Sequence, residues 1–136
     1  MKSIFFVFAL TCNCAFAQNS GIDCKAIEMA IKYDVFGKAL FSDFNPQNLL
    51  TIIDTSAMFV HCNLEKKLNV EIIHNASSSK SKDIYIVNLI HFEKKKRVNR
   101  FVFFKKTNNT MIEMEVKRRH LFRNKYIVHV VQYGIF

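Results

Sequence analysis

The chain has no Trp, one Pro and three Gly in 136 residues. That supply of turn and breaker residues is too small for a collagen-like or Gly/Pro-linker architecture. Three glycines also leave little from which to build a phosphate-cradling backbone loop. Acidic residues are scarce too, 11 against 20 Lys and Arg, giving a formal charge of +9 with His neutral. Only 23% of residues are charged while 50% are hydrophobic, a balance that excludes intrinsic disorder and calls for a packed core. No apolar run reaches the roughly 20 residues a spanning helix needs, so no stable membrane span is expected.

Catalytic signatures are missing as well. There is no Gly-x-Ser-x-Gly elbow, no His-Glu-x-x-His and no paired Cys-x-x-Cys knuckle. His61, His74, His91, His120 and His129 show no metal-ligand spacing; His91 and His129 fall in strands, where facing each other across the sheet is the lesser alternative to an ordinary hydrogen bond with a neighbour. No metal and no cofactor is expected. The residues open to acid–base work are Asp34, Asp43 and Asp54, with Tyr33 and His61 as partners. They form no recognisable dyad, and Asp43 and Asp54 read as caps at element ends. An enzyme is therefore the secondary expectation.

What is present begins with a leader. Met1-Lys2-Ser3 is a short positive start, Ile4 to Leu10 an apolar run, and Ala15-Phe16-Ala17 a small-residue cleavage site. Residues 1–17 are thus expected to be a signal peptide and 18–136 a single α+β domain in an exported, periplasmic or secreted protein. Its removal leaves Cys24 and Cys62, whose pairing closes a loop of about 39 residues and contributes roughly 4 kcal/mol on the chain-entropy model; two buried thiols are the alternative.

Capping-box spacing at Ser20 to Asp23, followed by Ile27, Ala30, Ile31 and Val35, predicts a helix from about Asp23 to Phe36 that Gly37 ends or bends. Residues 47–54 read two ways: Asn45-Pro46 starts a helix, while Leu49 to Ile53 is apolar and β-branched enough for a buried strand. Five further stretches, Asn69 to His74, Asp83 to Phe92, Val98 to Phe104, Met111 to Lys117 and Tyr126 to Tyr133, predict an antiparallel meander. In the fourth, Ile112, Met114 and Val116 alternate inward against Glu113, Glu115 and Lys117. The expectation is one or two N-terminal helices packed on a curved antiparallel sheet of about five strands. This order of elements over the mature chain resembles the nuclear-transport-factor-like and cystatin-like family of α+β cones. That resemblance implies a cone whose mouth takes a small apolar ligand, in a family with many functions.

A meander also sorts its connectors between two ends of the sheet. Glu93 to Arg97 and Lys117 to Lys125 then share an end, which concentrates Lys94, Lys95, Lys96, Arg97, Arg118, Arg119 and Arg123 as a basic rim, with Lys117 and Lys125 beside it. Phe103, Phe104, Phe122 and Tyr126 border these positions as in a base-stacking surface, although core burial accounts for most of them. The rim predicts a binding protein for an anionic polymer, a lipid head group or an acidic protein. The alternatives are a cone-shaped small-molecule binder or enzyme, and an inhibitor-like protein.

Overall fold

In the computed structural model, which describes residues 22–75, 85–119 and 125–136, three α-helices and a six-stranded mixed sheet form an α+β fold. The expected leader lies outside the described residues. In chain order the elements are α1 (Cys24–Lys32), α2 (Asp34–Leu40), β1 (Leu50–Ile53), α3 (Glu65–Leu68), β2 (Val70–Ile73), β3 (Ile86–Lys95), β4 (Val98–Lys105), β5 (Thr110–Arg118) and β6 (Tyr126–Ile135). No helix among the described residues is long and apolar enough to cross a membrane.

The cap of α1 is Asp23, whose Oδ1 accepts the N–H groups of Lys25 and Ala26 at 3.0 and 3.3 Å. Ile27, Ala30 and Ile31 face the core, but the single helix expected to Phe36 is two. Tyr33 adopts an extended ψ of 127°, so Val35 falls on α2 and is exposed. Gly37 does not end a helix either; it lies inside α2, where a Cβ would collide with the Phe44 ring.

Residues 50–53 are strand. Asn45-Pro46 forms a turn instead of a helix start, with Asn45 Oδ1 accepting the Gln47 N–H at 2.9 Å. All four residues of β1 are buried, as an apolar strand covered on both faces must be. It pairs in parallel with β2 and with β3, giving the order β2-β1-β3-β4-β5-β6. The expected five-stranded antiparallel meander is corrected accordingly. There are six strands, and β2 is not a hairpin neighbour of β3 but an edge strand reached by a crossover through α3, as parallel pairing requires. These two parallel pairings also depart from an all-antiparallel cone.

From β3 to β6 the meander is present. Register shifts at Leu89/His91 and Glu113/Met114 are bulges of the kind that bend a sheet. Its inner face stacks Leu89, Phe103 and Ile112 in one cross-strand row and Phe92, Phe101 and Met114 in the next. Helices α1 and α2 pack on β5, Phe36 meets Phe103 edge-on with centroids 5.0 Å apart, and Phe59 meets Phe92 at 4.8 Å. On the outer face Arg100 bonds Glu115 (Nε–Oε1 3.1 Å) and pairs with Glu113 (3.3 Å). His91 and His129 do not meet: they pair with Val102 and Glu115, and two strands, β4 and β5, lie between them.

Glu28 is buried on α1, with Lys25, Lys32 and Lys67 reaching it at 2.9, 3.4 and 3.8 Å. Burial raises its pKa, but the hydrogen bond and charge of Lys25, with help from Lys32 and Lys67, win and hold the carboxyl below its ordinary value. A depressed carboxylate stabilises the fold above its unfolded pKa and loses that contribution as pH falls through the folded one. Glu28→Gln should therefore cost about 1 kcal/mol at pH 7, limited by the exposed ammonium groups. In thermal melts the gap between the two proteins should close below about pH 4; a gap independent of pH would assign the effect to packing.

Candidate functional site

The β3–β4 hairpin turns through Lys96 and Arg97, between the paired Lys95 and Val98. Lys96 has φ of 53°, the left-handed region where Gly or Asn is usual in such turns and a branched-out side chain costs about 1 kcal/mol. The neighbouring strand ends alongside: the Arg118 N–H donates to Arg97 O at 3.0 Å, and the Arg119 N–H to Lys125 O at 2.9 Å. The two basic connectors thus lie at one end of the sheet. The misplaced β2 does not affect this, because their placement depends only on β3 to β6.

A cavity of about 300 Å³ opens there. Lys94, Lys96, Arg97, Arg118 and Arg119 line it, with Asp23 and Asn99 completing the wall. Lys95, expected with them, points to the outer face and pairs with Glu93 at 3.0 Å; the hydrogen bond from Lys95 holds the Glu93 carboxyl below its ordinary range. Arg123 lies outside the described residues.

Among the described residues this wall holds one carboxylate, and it is already engaged. Asp23 Oδ1 caps α1, and Oδ2 accepts the Tyr126 hydroxyl at 3.0 Å. Burial, then the bond to Asp23, raises the Tyr126 pKa and keeps the phenol a donor. The N-terminus of α1, the positive end of its dipole, therefore opens onto a cavity already rich in cations.

Asn99 was not anticipated. It pairs across the sheet with Lys94 and Val116 and is 2% exposed. Its Oδ1 has no hydrogen-bond partner among the described residues. The signal lay in parity, since Asn99 alternates with Phe101 and Phe103 on the buried side of β4.

The candidate acid–base residues do not converge. Tyr33 and Asp34 line a groove of about 600 Å³ beside the α1–α2 break, with Phe41 and Phe44. Asp54 is buried as a cap, accepting from Ser56 Oγ at 2.6 Å and the Phe59 N–H at 2.7 Å. Asp43 takes part through its backbone oxygen, which accepts the Tyr85 hydroxyl at 2.8 Å. His61 stands beside the cysteines, its Nε2 3.6 Å from Cys24 Sγ. Cys24 and Cys62 lie at disulfide distance, with Cα atoms 5.5 Å apart. Cys24, His61 and Cys62 do bring donor atoms within 4.8 Å of one another, but sulfurs bonded to each other present no thiolate to a metal. Of the aromatic residues bordering the rim, Phe103 is core and Phe104 half-buried, while Phe122 lies outside the described residues.

Comparison with protein-family models, curated proteins and solved structures gives no match.

Proposed function

We propose that this is an exported, non-enzymatic binding protein that holds an anionic macromolecule or acidic partner at the basic end of its β3–β6 meander. The observation that carries this reading is five cationic side chains from two neighbouring strand ends and turns around one cavity, whose only carboxylate among the described residues is already engaged. Such a concentration of like charge raises the local concentration of anions and favours their binding. Apposed cysteines fit an oxidising compartment, in keeping with the leader read from the sequence. The α1–α2 groove, apolar at Phe41 and Phe44 with Tyr33 and Asp34 at its edge, favours a second reading as a small-molecule binder.

Retention on a heparin resin tests the first reading. The wild type should bind at low salt and elute as salt rises, whereas a variant carrying Lys96→Glu, Arg97→Glu and Arg119→Glu should pass through. Its melting temperature should stay within a few degrees, because exposed turn side chains contribute little to stability. Equal retention of the two proteins would leave the charges as a solvated face and favour the groove as the binding site.

A further inference from the structure

Resting on that reading and sharpening it, we infer that the cavity at the β3–β4 turn takes a single sulfate or phosphate ester of a hydroxyl-bearing unit, a sugar sulfate or sugar phosphate. Three features lead there. The first is size: about 300 Å³ is the lower end of the range for small-ligand sites and accommodates one sugar-sized unit, not a length of polymer. The second is charge: Lys94, Lys96, Arg97, Arg118 and Arg119 provide for the oxyanion.

The third is Asn99. At 2% exposure its Oδ1 is an acceptor without a partner in the cavity wall, and a buried acceptor left unpaired is destabilising. A fully ionised sulfate cannot relieve it, because sulfate oxygens are acceptors too; a hydroxyl can. Asp23 does not compete for that hydroxyl, since its oxygens already serve the helix cap and Tyr126. A site with cations at its mouth and one unpaired acceptor in its wall selects an anion that carries a donor beside its charge.

Calorimetry at low salt with glucose 6-sulfate, methyl sulfate and inorganic sulfate separates the possibilities. Glucose 6-sulfate should bind at least tenfold more tightly than methyl sulfate, which has the same ester and no hydroxyl, the equivalent of one good hydrogen bond. Asn99→Val should erase that preference while leaving the affinity for inorganic sulfate unchanged, since sulfate brings no donor for Asn99 to accept. It should also melt no lower than the wild type, because it removes an unpaired polar group; a merely structural Asn99 would instead lower the melting temperature. Should the variant not fold, the comparison of the two esters on wild-type protein still decides. Equal affinity for the esters, or a preference that survives Asn99→Val, overturns the inference, and loss of heparin retention on charge reversal would still leave the broader reading standing. An intact ester preference without salt-sensitive heparin retention would do the opposite. A heparin-derived hexasaccharide identifies the source: displacement of glucose 6-sulfate with tenfold higher affinity assigns a unit within a glycan chain, and equal affinity assigns a free sugar ester.

Discussion

Cys62→Ser should lower the melting temperature by roughly 15 °C, the largest stability effect expected of any single substitution outside the aromatic core. Cys24 opens α1, and Cys62 sits 38 positions on in the connector from β1 to α3. A bond between them encloses α2 and β1 and removes from the unfolded chain the entropy of closing that loop, about 4 kcal/mol on the chain-entropy model. For a protein of this size each kcal/mol displaces the midpoint by about 4 °C. Cys24→Ser should fall by the same amount and the double variant no further, since one bond is lost in all three. Reductant should bring the wild type down to the variants and leave them unmoved. Rapid labelling of both thiols in the native wild type would refute the pairing outright.

How much of this was legible in the sequence depended on which period each segment obeyed. The strands from β3 to β6 could be read because Ile112, Met114 and Val116 alternate with Glu113, Glu115 and Lys117, and because their neighbours are rich in Val, Ile and Phe. The shared end of their connectors followed from that alone. Strands β1 and β2 were harder for a physical reason: Leu50 to Ile53 is buried on both sides, so no alternation marks it, and parallel pairing between segments far apart leaves no trace in local pattern. The break at Tyr33 was hidden because apolar spacing ran on across it to Val35. Gly37 resembled a terminator, whereas its smallness is needed by Phe44, a contact only the tertiary structure supplies. Asn99 was obscured because Val98 and Val102 make the opposite face of β4 apolar as well, so parity alone did not single out the buried polar position.

Raising salt from about 50 to 200 mM should weaken binding to a heparin chain by roughly 300-fold, the largest functional effect expected. Each cation that replaces a condensed counterion contributes close to one unit of slope in a plot of log affinity against log salt. Five cations around one cavity thus give a slope of about −4, and a fourfold rise in salt converts it to that loss. Neutralising Lys96, Arg97 and Arg119 to Gln should flatten the slope by about two and a half units. Lys95→Glu should change it by less than one unit, because the Lys95 ammonium lies on the outer face against Glu93. Anisotropy of a labelled heparin oligosaccharide over a salt series measures all three slopes. The contrast between Lys95 and its neighbours is the decisive part. Net charge alone would make Lys95 equivalent to Lys96 and Arg97, whereas a cavity-centred site makes adjacent residues of one turn unequal. Identical slopes for Lys95→Glu and Arg97→Glu would show that the polymer responds to the charge of the whole rim and that the cavity plays no part in holding it.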